Sequence, residues 1–448
     1  MLWRTIYSAL MWLAQPLLRR KLRRRAVQEP GYLTRVDERF GHYAYPALAP
    51  SARPRVWLHA VSLGETRAAA VLVQALRQQC PELSLLLTHG TATGRAEGAR
   101  LLQAGDTQCW LPWDTPGAVQ RFLQHHQPSL GLLMETEVWP NLVHYCANRG
   151  VPLLLVNARL SDKSLRQARR LGPLARPAYR DLTAVWAQTD ADAQRLQALG
   201  APVRGALGNL KFDATPSAPQ VQRGRQWRSG LSRPVLMLAV SREGEELALL
   251  QALKHFMPPG QTNQAQNALS FVATQVQWLI VPRHPQRFDA VAELIVAQGF
   301  AIARRSQWPD TGPPPFEPAR APAPCIWLGD SLGEMPLYYA LADVALLGGS
   351  FAPLGGQNLI EAAACGCPVI MGPSTFNFAQ AAEQALSAGA ARRVADLADG
   401  LQAAWQLLQD TPALAQSRQA SLHFAQAHRG AALRLAQVVA GQLHQMPS

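Results

Sequence analysis

Acidic and basic residues recur in this chain at one kind of place, directly after a short apolar run. His59-Ala-Val-Ser62-Leu-Gly64-Glu65 follows one such run, and Met134-Glu135-Thr136-Glu137-Val-Trp139-Pro140 another. Further along stand Asn157-Ala-Arg159, Asn209-Leu-Lys211, Ser241-Arg242-Glu243-Gly244-Glu245, Pro282-Arg283-His284-Pro285 and Asp330-Ser331-Leu332-Gly333-Glu334. A carboxylate at such a turn can deprotonate a hydroxyl, and a Lys or Arg can neutralise a phosphate or pair with a carboxylate. For Glu65 two readings are open. Its spacing from Ser62 is that of a capping box, and a carboxylate in a first turn suits the helix dipole; facing a ligand, it is a general base. Glu135 and Glu137 pose the same choice. Lys211 fits either a phosphate or a carboxylate partner, and Arg283-His284, framed by prolines, forms a stiff polar turn suited to an anion.

The segment Asp343–Pro373 is organised around glycines. An apolar run (Val344–Leu347) leads to Gly348, Gly349, Gly355 and Gly356, then to a helix expected from about Gln357 to Cys365. Gly366 stops that helix, and Val369-Ile370-Met371 forms the next strand. Glycines between a strand end and a helix start allow an anion to approach the backbone, or simply permit a tight crossover turn. The order matches neither the dinucleotide fingerprint nor the Walker loop. Asp190-Ala-Asp192 has the letter pattern of a metal-binding DxD, but it follows Thr189 at a helix start, where acidic residues are routine.

Such turns need elements to hold them, and the texture supplies them. Apolar runs at Val56–Val61, Leu83–Thr88, Leu130–Met134, Leu153–Val156, Ala184–Gln188 and Val203–Leu207 alternate with helical stretches. The pattern resumes with Val235–Val240, Trp278–Pro282, Ile326–Gly329, Val344–Leu347 and Val369–Met371. Continuous apolar strands separated by helices predict parallel sheets covered on both faces, hence two doubly wound α/β units whose ligands sit beyond the strands' carboxyl ends. The boundary is expected within Asp213–Arg233, and Met257–Gln277 and Trp308–Pro324 read as surface insertions. At 448 residues the chain is long enough for two or three domains. Its six cysteines show no paired CxxC spacing, which argues against a zinc site or a disulfide framework.

A formal charge of +13 calls for an anionic partner. Aromatic residues do not interleave with basic patches, so nucleic acid is not the expected one. The N-terminus offers another: MLWRTIYSALMWLAQPLLRRKLRRRA places a Pro-interrupted apolar stretch before six cationic residues between Arg19 and Arg25. It falls short of the ~20 apolar residues that span a bilayer and lacks a cleavage site, so it reads as an anchor or interfacial helix on an anionic membrane surface. The alternative is an amphipathic helix packed on its own protein. The basic run Arg159–Arg180 is either a solvated face or a second contact for lipid phosphates.

Together the motifs HAVSLGET, METEVWPN, NARLSDKS, GNLKFD, VPRHPQRF, GDSLGEM, GGSFAPLGGQNLIEAAACGCPVIMGP and TFNF resemble, in order and over most of the chain, the 3-deoxy-D-manno-octulosonic acid (Kdo) transferases of lipid A biosynthesis. The resemblance implies a GT-B fold, two Rossmann-like domains facing a cleft with an N-terminal membrane-associated helix. It places the anchor in 1–25, the acceptor domain in 26–220, the donor domain in 221–425 and a C-terminal helix in 426–448. It implies transfer of Kdo from CMP-Kdo to a lipid A precursor with inversion, without a metal or other cofactor, on the cytoplasmic face of the inner membrane. Carried over by motif, Glu65 is the base, and Glu135 and Lys211 stabilise the transition state. Pro282, Arg283, Leu332, Gly333, Glu334, Asn358, Leu359, Ile360 and Glu361 hold CMP. The chain departs from the family pattern at Gln357, usually His, and Leu359, usually Pro. The nearest rival is a GT-B lipid glycosyltransferase using a UDP-sugar. A rival of another class is a non-catalytic, membrane-tethered binder of polyanions.

Overall fold

The computed structural model describes residues 2–47, 53–255, 275–314 and 325–445. It divides into two compact units, one of Met1–Ala214 with His428–Ser448, the other of Thr215–Ala427.

The first unit holds a seven-stranded sheet: β1 (Arg55–His59), β2 (Ser84–His89), β3 (Thr107–Trp110), β4 (Leu130–Met134), β5 (Leu153–Ala158), β6 (Ala184–Ala187) and β7 (Val203–Ala206). Their spatial order is β3-β2-β1-β4-β5-β6-β7, with every pair parallel. The interior strand β1, Arg-Val-Trp-Leu-His, is buried along its whole length. Pleating sends Val56 and Leu58 into one apolar layer and Trp57 into the opposite one, each under its own helices. Each such fully buried side chain contributes roughly 1.5–3 kcal/mol. The chain's final described helix, Ala431–His444, returns to this unit and buries Leu435, Ala436 and Val439 in the layer that contains Leu72 and Leu76 of helix Leu63–Gln79.

The second unit repeats the plan with β8 (Val235–Ser241), β9 (Gln277–Pro282), β10 (Ala301–Arg304), β11 (Cys325–Leu328), β12 (Val344–Leu347), β13 (Val369–Met371) and β14 (Ala391–Arg393). The order is β10-β11-β9-β8-β12-β13-β14, again all parallel.

Three strands are not among the apolar runs read from the sequence: β3, β10 and β14. All three are sheet edges, with sequences Thr-Gln-Cys-Trp, Ala-Ile-Ala-Arg and Ala-Arg-Arg. An edge strand is covered less completely, so its side chains need not be continuously apolar. The glycine segment forms the expected strand, loop, helix and strand. Its helix is shorter than expected, Leu359–Ala364, with Asn358 as N-cap. Most of the first expected insertion and the end of the second lie outside the described residues. Where the second begins, Trp308 is buried against Trp227 and Trp327, at centroid distances of 5.9 and 5.2 Å.

At the N-terminus, helices Leu2–Leu13 and Gln15–Ala26 meet at Ala14, with Pro16 in the first turn of the second. Leu22 and Ala26 pack on Tyr32. The Ser8 hydroxyl lies 3.1 Å from Asn141 Oδ1, and Arg4 lies over Tyr145. The opposite side stays uncovered: Trp3, Ile6, Leu10, Leu13 and Leu17 are 42–67% exposed. No helix among the described residues is long and apolar enough to cross a membrane.

Candidate active site

A parallel sheet sends all its strands' carboxyl ends to one edge, and ligands collect where strand order reverses. In the first unit that point lies between β1 and β4. β1 delivers Glu65 at the start of helix Leu63–Gln79; β4 delivers Glu135 and Glu137; β5 delivers Asn157 and Arg159; β7 leads to Lys211.

Glu65 fulfils its structural reading. The Val61 N–H donates to Oε2 at 2.9 Å and the Ser62 hydroxyl to Oε1 at 3.1 Å, while Ser62 Oγ accepts from the Glu65 N–H at 3.4 Å. The box is shifted by one residue, because the carboxylate reaches the amide of Val61 and not that of the N-cap. These bonds do not exhaust its chemistry. Burial raises the Glu65 pKa above the ordinary carboxylate value; the Val61 N–H and His59 oppose the rise, and the charges of Glu135 and Glu137 add to it. Two carboxylates coupled to a third across a strand gap mark a site where a proton can be held or taken.

Glu135 is buried and has φ +56°. Lys211 Nζ lies 3.3 Å from Oε1 and Arg159 Nε 3.2 Å from Oε2. One carboxylate is thus fixed by two cations from two other strand ends. Asn157, fully buried on the next strand, has φ +50° and accepts the Leu210 N–H at Oδ1, which places the turn carrying Lys211. Left-handed backbone at non-glycine residues costs of order 1–3 kcal/mol and persists where surrounding structure imposes it, often at functional sites. Glu137 accepts from Trp139 Nε1 at 2.9 Å and lies 3.8 Å from His59 Nε2. His59 Nδ1 in turn lies 2.9 Å from Thr88 Oγ1.

In the second unit strand order reverses between β8 and β12. Val240 has φ +56°, rare for a β-branched residue, at the point where the β8–β9 register slips. The strained turn is filled by Gly348: a Cβ there would lie 2.5 Å from the Val240 carbonyl oxygen. The Gly349 N–H lies 2.8 Å from both carboxylate oxygens of Glu245, which also accepts from the Arg242 N–H at 2.9 Å. The glycine loop is therefore braced from within by a protein carboxylate. Glu246, fully buried, accepts both Arg287 guanidinium nitrogens and the Ser241 hydroxyl.

The residues expected to hold CMP all follow carboxyl ends of this one sheet. Pro282 ends β9 and is buried, and Arg283 beyond it is exposed. His284 titrates below its ordinary range because of burial and then the charges of Arg242, Arg283 and Arg287, a measure of how positive this edge is. After β11 come Leu332, 73% exposed, and Gly333, with φ +78°. Glu334 is fixed by Arg305 at 2.9 Å. After β12 come Asn358, whose Oδ1 accepts the Ile360 N–H at 3.1 Å, then Leu359, Ile360 and Glu361. Leu359 and Ile360 are buried, so their side chains belong to the core. The departure at position 359 thus falls on a core side chain. Gln357 stands at the loop itself, its Nε2 3.1 Å from where a Gly349 Cβ would be.

Asp192 is spent on structure, joined to the Thr189 hydroxyl at 2.7 Å, the Leu160 N–H at 2.9 Å and Arg195 at 3.0 Å. Arg159 leaves the basic run for Glu135, while Lys163, Arg166, Arg169 and Arg170 remain on an exposed helix face. The pairings of Arg159, His59 and Glu245 were missed at the sequence level. The signal was available, since each stands at or just beyond a strand's carboxyl end, but their partners lie on other strands.

Two parallel, doubly wound units with their candidate residues at carboxyl edges define the GT-B class. Solved structures agree: a glycosyltransferase from Rickettsia africae superposes with a TM-score of 0.54 at 13% identity, over 89% of this chain and all of that one. A UDP-GlcNAc 2-epimerase from Neisseria meningitidis, bound to UDP-GlcNAc, gives 0.54 at 13% over 88% of this chain and all of its own. At such identity the likeness concerns the fold alone. Sequence relatives are more specific. A 3-deoxy-D-manno-octulosonic acid transferase of Bordetella pertussis is 48% identical over 88% of this chain and 89% of its own length. One from Haemophilus influenzae is 31% identical over 91% of each. The family profile described as 3-deoxy-D-manno-octulosonic-acid transferase (kdotransferase) matches residues 34–214. The chain belongs to the 3-deoxy-D-manno-octulosonic acid transferase family and is a glycosyltransferase.

Proposed function

We propose that this protein transfers Kdo from CMP-Kdo to a hydroxyl of a lipid A precursor, with Glu65 as the base. One observation carries the reading: a carboxylate of raised pKa stands at the strand-order reversal beside a second carboxylate clamped by Lys211 and Arg159. In the step, the acceptor oxygen attacks the anomeric carbon of Kdo as its proton passes to Glu65. The bond from that carbon to the CMP phosphate oxygen breaks, CMP departs, and the anomeric configuration inverts. Glu135 offsets positive charge developing on the sugar, and Lys211 offsets the negative charge of the leaving phosphate. Pro282, Arg283, Leu332–Glu334 and Asn358–Glu361 hold CMP at the positive edge of the second sheet. Leu359 and Ile360 act there through their backbone.

The acceptor is a lipid, and the exposed row Trp3, Ile6, Leu10, Leu13 and Leu17 supports a membrane-surface reading for the first helix. The row lies beside exposed Arg19, Arg20, Lys21, Arg23 and Arg24, as an interfacial helix on anionic lipid requires. We place it on the cytoplasmic face of the inner membrane.

Glu65→Gln tests the base directly. The amide carbonyl can still accept the Val61 N–H, so melting should change little, while transfer of Kdo falls about 10²–10⁴-fold. Retention of more than a tenth of wild-type turnover, assayed with CMP-Kdo and lipid precursor by product mass, rules out Glu65 as base. Leu10→Asp with Leu17→Asp should reduce co-sedimentation with phosphatidylglycerol vesicles; unchanged sedimentation removes the membrane role of this helix.

A further inference from the structure

The N-terminal helices do more than cover part of the first unit, because with helix Pro116–His126 they line an open cavity of about 640 Å³. That volume falls inside the roughly 300–1,000 Å³ range of small-molecule sites. Its walls differ in character. Ala9, Trp12 and Phe40 supply apolar surface; Arg19 and Arg121 supply two guanidiniums. Arg19 is stacked over Phe40 at 4.3 Å, and Arg121 is oriented by a 2.6 Å hydrogen bond to the Phe40 carbonyl, so both cations are placed by the same residue. The one acidic lining residue is Asp37, which leaves an excess of positive charge.

A second observation concerns Thr115. It lines the cavity, is 6% exposed, and occupies the N-cap position of helix Pro116–His126, yet its hydroxyl caps no amide of that helix. Thr115, the first turn of that helix and two guanidiniums thus line one cavity, and together they offer donors to an oxyanion. The apolar wall continues outward into Trp12, Leu13 and Leu10, which are 60–66% exposed.

We propose that this cavity is a binding site for the headgroup of one anionic phospholipid, the phosphate held by Arg19, Arg121 and Thr115 and the acyl chains leaving along the exposed helix face. Charge complementarity and the continuity of the cavity with an apolar strip select this occupant over a free ion, which has no use for the strip. The inference rests on the membrane-surface reading of the first helix and is independent of the sugar transferred.

The test uses the full chain and dihexanoyl-phosphatidylglycerol below its micelle concentration, titrated by calorimetry. Saturable binding of one lipid per chain is expected. Ala9→Trp fills the cavity from an exposed helical position and should weaken it at least tenfold, although it adds apolar surface. Arg121→Gln should do the same. Arg149→Gln, an equal loss of charge at an exposed position outside the cavity, should change it less than twofold. Thermal melts establish that each variant is folded, and Ala9→Trp remains decisive if Arg121→Gln is not. The proposal is overturned if binding does not saturate, if Ala9→Trp binds as wild type, or if Arg149→Gln weakens binding as much as Arg121→Gln. It is also overturned if inorganic phosphate competes at equal concentration. Vesicle sedimentation that persists while the soluble lipid fails to bind separates loss of this site from loss of the membrane contact.

Discussion

In the proposed mechanism Glu65 carries a structural role and a chemical one at once. Its bonds to Val61 and Ser62 orient the carboxylate, and burial with two neighbouring carboxylates raises its pKa. A base works ionised, so transfer should fall as pH drops through that raised value, at a higher pH than an ordinary carboxylate would give. Glu137→Gln removes one charge that raises the pKa. The acidic limb of the rate profile should therefore move to lower pH, and an unmoved limb would show that the limb reports another group. Stability has its own pH dependence. His89 and His126 are held down to about 3 by burial, from an ordinary 6.5, so their contribution is present above pH 6.5 and is lost as pH falls. Asp114, raised by burial to about 6 from 3.8, has the opposite sign: its contribution is present below 3.8 and is lost as pH rises through 6. Between pH 6 and 4, among these three groups, unfolding takes up two protons at the histidines and releases one at Asp114. The net contribution of these three groups to stability should therefore fall on acidification, by about 1 kcal/mol per pH unit. Urea midpoints at pH 6 and pH 4.5 check the sign, and His126→Gln should flatten the slope.

At the scale of elements, the second unit's site depends on a turn that three residues complete together. Val240 adopts left-handed backbone, Gly348 leaves room for its carbonyl, and Glu245 fastens the Gly349 amide. The obstacle to a side chain at 348 is backbone, which yields less readily than a flexible side chain. Gly348→Ala should cost about 1–3 kcal/mol and weaken CMP binding, read by melting and calorimetry. A variant that melts and binds as wild type would mean the loop relaxes without consequence. The first unit has a comparable dependence at helix Leu63–Gln79, which carries Glu65 at one end and is packed along its length by helix Ala431–His444.

At the scale of the molecule, that return helix makes the first unit discontinuous in sequence. Asp213 accepts the amides of Gly430 and Ala432, tying the end of the unit's first segment to the start of its second. Removing residues 428–448 exposes the core positions that Leu435 and Val439 fill, at roughly 1.5–3 kcal/mol each, besides the alanines between them. The truncated chain should lose transfer with the first unit's cooperative melting, whereas Thr215–Ala427, an uninterrupted segment with its own sheet, should retain CMP binding. A truncated chain that transfers Kdo normally would show that the return helix is dispensable.

The sequence by itself determined the two doubly wound units, the strands at their centres and the turns that carry chemistry. Central strands are buried on both faces, so their composition is forced to be apolar, and the polar residues just beyond them stand out. It did not determine β3, β10 and β14, since an edge is excused from that requirement. Nor did it determine which partner each charged residue takes. Glu135 meets Arg159 and Lys211 only because β4, β5 and β7 end at one edge of one sheet, and Glu245 meets Gly349 only because β8 lies beside β12. Those pairings span up to 104 residues of chain, and local pattern carries no information over that distance. Tertiary structure alone decided them, by bringing the strand ends together.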